Sequence, residues 1–405
     1  MTGWLHVVGI GAEGLEGLTA TSRALIGNAD LLIGGVRHLK MAADTTARKV
    51  QLEFPLDNIV SEISAARNKC VVVLATGDPM SFGIGSTLTR HFEPEDMTIL
   101  PAPGAFSLAA ARLGWPLHGC TCLTLHGRPL ELLNAHILPG RHLLILSHDG
   151  RTPKRVADTL TAAGFGPSRI TALENMGTPD EARHSGTADG WTAKHVADLN
   201  TLAVECRPRP DARYLPLAAG LPDDAFVHDG QMTKRVVRAA TIAALAPRPG
   251  AYLWDLGAGC GSVAIEWLRA AQDVEGQGAR ATAVEREAER CAMIATNASR
   301  LGTPFLDIVT AENARAIGRL DDPDAVFLGG GLSVDLLAAV SARLKPGGRL
   351  AANAVTIEGE QVLLAAHAEY GGELTRIAVS HAEPVGVRTG WRPAMPVTQW
   401  STIRT

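Results

Sequence analysis

Aromatic residues, basic clusters and long apolar runs are all scarce in this sequence. Phe, Trp and Tyr together make up 4% of the 405 residues, which argues against a platform of stacked aromatic rings for nucleic acid. The net charge is −4 and no block of about five or six basic residues occurs, whereas a nucleic-acid footprint needs a basic face. No stretch approaches the roughly 18 consecutive apolar residues of a membrane span. We therefore predict that neither nucleic acid nor membrane is a partner.

Cysteine pairs are also absent. The six cysteines, at positions 70, 120, 122, 206, 260 and 291, include no C-x-x-C motif. In a chain of this length that spacing predicts reduced thiols and a cytoplasmic location. The opening residues have no basic stretch before their first apolar run, so we expect no secretory signal peptide.

One cluster, His118, Cys120, Cys122 and His126, contains four potential zinc ligands. Residues 118, 120 and 122 alternate, so on a strand they share one face. Structural zinc sites usually present cysteine pairs about two to four residues apart across a turn. A half-buried strand is the favoured interpretation, and we predict no metal site.

The length and the glycine content indicate two α/β domains. A chain of 405 residues with 42 glycines exceeds one ordinary core, and a proline-rich segment near its middle is the best boundary. We predict domains over 1–206 and 222–405 joined by a linker over 207–221. Arg207, Arg209 and Arg213 of this segment could instead line a substrate surface, but the linker interpretation is favoured.

Both halves alternate apolar strands with helices. In the first half we predict strands at 5–10, 30–34, 71–75, 143–147, 169–174 and 199–205 and helices at 18–27 and 154–163. Continuous apolar runs indicate largely parallel strands covered on both faces. In the second half we predict helices at 234–245, 263–270, 286–300, 333–344 and 358–370. Its strands, at 251–256, 279–284, 306–310, 325–328, 349–353, 374–380 and 397–403, suit a seven-stranded sheet closed by a final hairpin.

The strongest local motif is Trp254-Asp-Leu-Gly-Ala-Gly-Cys-Gly-Ser262, between a predicted strand and helix. Glycines let the backbone approach a ligand closely, and the helix start offers free N–H groups. Glu285 ends the next strand, where a carboxylate can accept ribose hydroxyls. Glu312 or Asn313 could meet an adenine amine. The spacing departs from G-x-G-x-x-G and favours a methyl donor over a nicotinamide cofactor. The predicted ligand residues of the motif are Asp255, Gly257, Ala258, Gly259, Cys260 and Gly261.

Thr233, just before the helix predicted at 234–245, has two interpretations. Its hydroxyl could cap that helix, or it could contact the methionine part of the donor.

The C-terminal half resembles a Rossmann-like class I methyltransferase, specifically the decarboxylating C15-methyltransferase domain of cobalamin biosynthesis. The resemblance rests on Asp223-Asp-x-Phe226, on Met232-Thr-Lys-x-x-Val-Arg-Ala239 and on the loop that begins at Trp254 and extends to Trp267. It covers 222–405. Cys260 stands where the family often has Ser, and because the side chain stays small we expect no change of function.

The first half contains Gly9-Ile-Gly-Ala-Glu-Gly14, which by itself suggests a dinucleotide fold. No acidic residue ends a strand about twenty positions later, so we reject that interpretation. Together with the stretches 76–83, 101–107 and 174–181, this half resembles the two-lobed tetrapyrrole methylase fold, specifically its C5-methylating precorrin member, over about 3–206. By resemblance, S-adenosylmethionine binds between the lobes. The residues expected to bind it are Gly9, Gly11, Gly77, Asp78, Pro79, Ser107 and Met176, although Asp78 could merely cap its loop.

Together the two resemblances imply a fusion with one S-adenosylmethionine per domain and a precorrin tetrapyrrole as substrate. They imply C5 methylation by the first domain, C15 methylation and loss of the ring C acetate carboxylate by the second, and precorrin-8 as product. Self-association in both families implies a homo-oligomer. The acid that protonates the decarboxylated carbon is open; the candidates are His228, Asp223 and Lys234. Arg207, Arg209, Arg235 and Arg238 could clamp substrate carboxylates.

Three alternatives stay open from the sequence. The substrate could be a cobalt-precorrin, because metal content is not readable from residues. An RNA or protein methyltransferase would share the C-terminal loop but leaves the first half unexplained. A sensor would bind the donor without turnover.

Overall fold

The computed structural model describes residues 3–271 and 278–405, which form two compact units. The first unit comprises the chain up to Arg128 together with Pro139–Ala212. The second comprises Pro129–Leu138 together with Arg213–Thr405. Short 3-10 helices occur at Pro94–Asp96, Leu117–Gly119, Leu130–Ala135, Asp223–Ala225 and Ile317–Arg319. Within the described ranges, no helix combines the length and the apolar character needed to cross a bilayer.

The first lobe of the first unit is a parallel five-stranded sheet. Its strands are β1 (Leu5–Ile10), β2 (Leu31–Gly34), β3 (Arg48–Gln51), β4 (Val71–Thr76) and β5 (Met97–Leu100), in the order β3-β2-β4-β1-β5. Its helices are α1 (Ala20–Gly27), α2 (Val36–Met41), α3 (Asp57–Ala65) and α4 (Ile84–Leu88). β1 is buried along its whole length, and all four strand pairs are parallel, as predicted.

The second lobe corrects the prediction of largely parallel strands. Its elements are α5 (Ala105–Leu113), β6 (Cys120–Thr124), β7 (His142–Leu146), α6 (Thr152–Ala162), β8 (Arg169–Glu174), β9 (Ala182–Thr187) and β10 (Asn200–Glu205). β10 lies between β7 and β8 and is antiparallel to both, β9 is antiparallel to β8, and only β6 and β7 run parallel. A continuous apolar run reports burial on both faces and carries no information on strand direction. The half-buried strand predicted around Cys120 is confirmed.

The second unit contains the predicted seven-stranded sheet. Its order is β13-β12-β11-β14-β15-β19-β16, with apolar clusters packed around it. The strands are β11 (Tyr252–Leu256), β12 (Arg280–Glu285), β13 (Asp307–Thr310), β14 (Ala325–Leu328), β15 (Arg349–Ala354), β16 (Glu373–Ile377) and β19 (Val397–Ile403). The helices are α7 (Arg235–Leu245), α8 (Ser262–Ala271), α9 (Ala288–Arg300), α10 (Asn313–Ala316), α11 (Val334–Arg343) and α12 (Ile357–Tyr370).

The closing hairpin is more elaborate than predicted. β16 and β19 pair antiparallel at the sheet edge, but between them the chain forms a second antiparallel pair, β17 (Ser380–Val385) with β18 (Arg388–Pro393). We call β17 and β18 the arm. Its tip exposes Val385, Val387 and Trp391. The sequence over 380–393 has no sustained apolar alternation, so it gave no strand signal.

A buried ion pair connects the start of the second unit to its sheet. Arg238 of α7 and Glu266 of α8 are 0% and 1% exposed, and Arg238 Nε donates to Glu266 Oε1 at 2.6 Å. Glu266 also accepts from the backbone N–H groups of Gly220 and Leu221. Arg238 in turn donates to the carbonyl oxygens of Leu221 and Thr233. The pair therefore fixes the path of the chain from 220 to 238.

These contacts correct two predictions. Arg238 is enclosed and contacts the Phe226 ring at 4.8 Å, so it is not free to clamp a substrate carboxylate. The residue at the N-cap of α7 is Lys234, without a side-chain capping bond, so Thr233 does not cap this helix. Thr233 contributes its carbonyl oxygen to Arg238 instead.

Replacing Arg238 with Met should strongly destabilise the protein. The Glu266 carboxylate would stay buried without its counter-ion, which typically costs about 3–5 kcal/mol. Urea unfolding of the full chain, followed by tryptophan fluorescence, measures the loss. The control is Arg213→Met, which removes an exposed pair with Asp224 and should change the free energy of unfolding by less than about 1 kcal/mol. Equal effects of the two substitutions would contradict the role given to the buried pair.

Candidate functional site

The second unit contains a cavity of about 1570 Å³ above the carboxyl ends of its parallel strands. Small-molecule pockets usually measure about 300–1,000 Å³, so this cavity has room for a donor and a second, larger ligand. Ten of the predicted residues line it. They are Asp223, Thr233, Lys234, Arg235, Gly257, Ala258, Gly259, Glu285, Glu312 and Asn313.

The glycine loop that follows β11 is shaped for close approach. Gly257 and Gly259 have φ of 72° and 58°, a conformation that side chains disfavour. A Cβ on Gly257 would come within 2.7 Å of the backbone of Gly330, and one on Gly259 within 3.2 Å of the Gln231 carbonyl oxygen. The loop therefore keeps its backbone open to the cavity only with glycine at these positions.

Glu285, at the end of β12, is held rigidly at the edge of this loop. Its Oε2 accepts from Gly259 N at 2.9 Å, and its Oε1 accepts from Arg286 N at 2.8 Å and Glu287 N at 3.1 Å. A carboxylate has about four lone-pair sites, so with three occupied about one remains to accept from a ribose hydroxyl. On the other side, Asn313 Nδ2 donates to the Gly330 carbonyl oxygen at 3.0 Å, which ties α10 to the loop after β14.

Asp255 lies beneath the loop instead of in the cavity lining. It is fully buried, and its Oδ2 accepts from the backbone N–H of Ala264 at 2.9 Å. Its Oδ1 has no hydrogen-bond partner within residues 3–271 and 278–405. Burial raises the pKa of this carboxyl to about 7, against the smaller opposing effect of the Ala264 bond. Asp255 thus supports the turn into α8.

Three more predicted residues lie outside the cavity lining. Cys260 is buried, and a Cβ on Gly261 would meet Ile294 at 2.8 Å, so both pack against the protein interior. His228 accepts from Gly230 N at 2.9 Å through Nδ1 and does not line the cavity.

The arm and the strands beside it supply a wall that the sequence did not indicate. Ile377 at the end of β16, Val379 between β16 and β17, and His381 of β17 line the cavity. Ala394 and Met395, between β18 and β19, and Val397, the first residue of β19, line it as well. Ile377, Val379 and Val397 lie in the strands predicted at 374–380 and 397–403, but the sequence did not mark them as cavity lining, and the arm that contains His381 was not predicted. The cavity lining also includes Arg235, Arg286 and Arg290.

A second, smaller crevice lies between the two lobes of the first unit. Its volume is about 70 Å³, which is smaller than a donor molecule. Most of a bound donor would therefore lie outside the crevice, against exposed residues. Of the predicted residues, Gly11, Gly77 and Met176 line it. Gly9, Asp78, Pro79 and Ser107 do not. Residues of its lining that were not predicted to bind ligand include Arg37, Thr76 and Asn175.

Close backbone contacts shape the loops of this crevice. A Cβ on Gly9 would lie 1.9 Å from the Gly77 carbonyl oxygen, and one on Gly77 would lie 3.0 Å from Gly104 Cα. Asp78 Oδ1 accepts from Met80 N at 2.9 Å, which is the loop-capping role considered above.

Side chains outside the crevice lining hold the turn that contains Met176 in place. Glu181 Oε2 accepts from Gly177 N at 2.7 Å, and Arg112 binds both oxygens of Glu181. These bonds hold the pKa of Glu181 at about 2, far below its ordinary value.

The Asp255 carboxyl should make the stability of the protein depend on pH. In the unfolded chain it ionises near pH 3.8, and in the folded protein near pH 7. Between these values the folded state retains a proton that the unfolded state has released. The free energy of unfolding should therefore fall as pH rises from about 4 to about 7, by up to about 4 kcal/mol. Urea unfolding across this range measures the difference from Asp255→Asn, which does not titrate. A difference that stays constant with pH would contradict the raised pKa.

Comparison with known proteins assigns each half of the chain to a family. Residues 4–190 match the family described as tetrapyrrole (corrin/porphyrin) methylases, and residues 224–404 match the family described as precorrin methyltransferase domain. A precorrin-6Y C(5,15)-methyltransferase (decarboxylating) of Sinorhizobium sp is 47% identical over 400 residues, which cover 98% of this chain and 96% of that protein.

Two relatives match about half of the chain. A cobalt-precorrin-7 C(5)-methyltransferase of Salmonella typhimurium is 32% identical over 182 residues, 44% of this chain and 89% of that protein. A probable cobalt-precorrin-6B C(15)-methyltransferase (decarboxylating) of Pyrobaculum calidifontis is 30% identical over 192 residues, 45% of this chain and 96% of that protein. With a tetrapyrrole methylase half and a precorrin methyltransferase half in one sequence, the chain belongs to the family of precorrin-6Y C(5,15)-methyltransferases (decarboxylating).

Proposed function

We propose that this chain is an S-adenosylmethionine-dependent C-methyltransferase and decarboxylase that converts precorrin-6Y to precorrin-8. It adds methyl groups at C5 and C15 of the macrocycle and removes carbon dioxide from the ring C acetate. The observation that carries the proposal is the combination of a glycine-loop cavity far larger than a donor needs with full-length similarity to a protein of that name. The full-length relative is named for precorrin-6Y, which favours the metal-free substrate.

We further propose that each unit binds one donor and carries out one methylation. The second unit would methylate C15 and decarboxylate, and the first would methylate C5, with functional domains over 1–206 and 222–405 and a linker over 207–221. Support comes from the two half-length relatives, since each is named for one of the two activities. Each family match also lies within one half of the chain.

In the second unit, Gly257 and Gly259 would let the backbone approach the donor, and Glu285 would accept its ribose hydroxyls. Glu312 and Asn313 would face the adenine. When bound, the sulfonium supplies an already activated methyl group. The remaining task of the protein is to align it with the carbon of the reduced macrocycle, and such orientation can contribute about 7–11 kcal/mol.

The mostly apolar wall beside the arm suits the decarboxylation. An apolar surface disfavours hydration of the departing carboxylate, while the bonding electron pair passes into the conjugated ring and a proton completes the new methyl group. Of the three candidate acids, Lys234 lines the cavity and has N–H groups that can give up a proton. We propose Lys234 as the proton donor. Asp223 accepts a bond from Arg238, and His228 lies outside the lining. Arg235 and Arg286 line the cavity and are suited to the substrate carboxylates.

We also propose a cytoplasmic homo-oligomer. None of the six cysteines, all of which the structure describes, forms a disulfide, as expected in a reducing compartment. The exposed apolar tip of the arm is the type of surface that association covers.

Incubation of the purified chain with precorrin-6Y and S-adenosylmethionine tests the reaction. The expected product has gained two methyl groups and lost one carbon dioxide by mass spectrometry. If the donor binds but the substrate stays unchanged, the protein is a sensor and the proposal is wrong.

Substituting Glu285 with Ala should remove one of two donor sites. Its carboxylate would bind the ribose and also orders the loop through Gly259, so calorimetry with S-adenosylhomocysteine should give two sites per chain for the wild type and one for the variant. The control is Glu287→Ala, an exposed neighbour outside the cavity lining. One site per chain in the wild type, or two in the Glu285 variant, would argue against this assignment.

We also expect Asp255→Ala to abolish binding at this site alone, because Asp255 supports the turn into α8.

Substituting Asp78 with Ala should abolish C5 methylation and spare C15. The side chain holds its loop through Met80 N, beside Gly77 in the crevice of the first unit. Mass spectrometry should show a decarboxylated product with a single added methyl group, while the exposed control Asp44→Ala yields the doubly methylated product. Loss of both methylations in a folded variant would contradict independent sites.

A further inference from the structure

The crevice of the first unit contains a polar group that the proposed chemistry does not use. Thr76, the last residue of β4, is exposed and lines the crevice, as does Arg37 of α2. The Arg37 guanidinium makes no hydrogen bond or ion pair within residues 3–271 and 278–405. A free cation and a hydroxyl thus face the same small space.

His38 contacts the Thr76 side chain and is buried. It is 8% exposed, and its Nε2 lies 3.1 Å from Thr76 Oγ1. Its Nδ1 has no hydrogen-bond partner in the described part of the chain. Burial, and then the charge of Arg37, lower the pKa of the imidazole to about 4. The ring is therefore neutral near pH 7 and carries one N–H.

The hydrogen-bond partners of the two ring nitrogens indicate that the proton is on Nε2. A buried N–H without an acceptor is rarer and more costly than a lone pair without a donor, so the unpartnered Nδ1 is the lone pair. His38 Nε2–H then donates to Thr76 Oγ1, and the hydroxyl proton of Thr76 is left for an acceptor in the crevice. Donation into the hydroxyl oxygen also makes the hydroxyl a better donor.

We propose that Arg37 and Thr76 form a carboxylate-binding subsite in this crevice, with His38 as the positioning residue that orients the Thr76 hydroxyl. The guanidinium N–H groups and the hydroxyl proton can both be donated to a ligand. A pair of such hydrogen-bond donors, one of them charged, recognises a carboxylate. The subsite rests on the proposed function of the first unit. Its ligand is either the amino-acid carboxylate of the donor or an acetate or propionate carboxylate of the macrocycle.

The C5 step can be measured alone in the full chain. The substrate is the decarboxylated, C15-methylated intermediate that Asp78→Ala is expected to accumulate, and the wild type and variants then methylate it at C5. Thr76→Val is isosteric and lies at an exposed strand end. We expect it, and Arg37→Met, to raise the KM of one ligand by about tenfold or more with little change in kcat, because a bond to a charged group is lost.

The ligand whose KM rises identifies the source of the carboxylate. If the donor supplies it, the KM for S-adenosylmethionine rises, and S-adenosylhomocysteine binds the variant correspondingly more weakly. If the macrocycle supplies it, the KM for the intermediate rises and donor binding is unchanged.

His38 has a separate signature because it acts through Thr76. His38→Leu should raise the same KM, whereas His38→Gln, whose amide can still donate, should restore part of the affinity. The double variant His38→Leu with Thr76→Val should be no weaker than Thr76→Val alone. A merely structural histidine would instead give additive losses and no rescue by Gln.

Arg23→Met and Thr89→Val are matched controls outside the crevice lining and should keep wild-type constants. Unchanged KM values for both ligands in Thr76→Val and Arg37→Met, with Asp78→Ala still blocking the C5 step, would overturn the subsite alone. If Asp78→Ala itself leaves C5 methylation intact, the proposed function of the first unit fails, and the subsite fails with it.

Discussion

The second unit depends on the enclosed contact between Arg238 and Glu266. Neither charge is exposed, and each satisfies backbone groups of the segment that precedes α7 as well as its partner. Removing water from two ions is costly unless their remaining donors and acceptors are bonded, and here the entering chain supplies those bonds. The position of 220–238 beside the glycine loop, with Thr233 and Lys234 in the cavity lining, follows from that requirement.

The two units use close backbone approach in different ways. In the second unit, Gly257 passes against Gly330, so two loops at the carboxyl ends of neighbouring strands meet without side chains between them. In the first unit, Gly9 of β1 approaches the loop at Gly77, which in turn approaches the loop at Gly104. The first arrangement opens onto a large cavity, while the second leaves a narrow crevice bordered by the other lobe. Glycine patterns of similar appearance therefore belong to sites of different shape.

Much of this architecture could be predicted from the sequence. The apolar runs located most strands of both units to within one or two residues, and β1, β8, β14 and β19 in full. They did not indicate β3, β5 or β9. The motifs around Asp223, Arg238 and Glu266 supported the correct family, although Arg238 and Glu266 form a buried ion pair and only Asp223 of the three lines the cavity. The antiparallel pairing of the second lobe could not be predicted, since strand direction depends on tertiary contacts. The arm was missed because its residues are mostly exposed, and Arg37 and His38 because nothing local marks a crevice formed across a fold.

The Glu285 side chain is held in place before any ligand arrives. With three backbone N–H groups bound, its side chain has no rotational freedom left to lose. A flexible carboxylate would surrender that freedom on association, at roughly 0.5–1.5 kcal/mol for a side chain of this kind. If Glu285 binds the donor ribose as proposed, its orientation toward the two hydroxyls is set during folding, and an adenosyl compound that lacks one of them would meet a carboxylate already held in place.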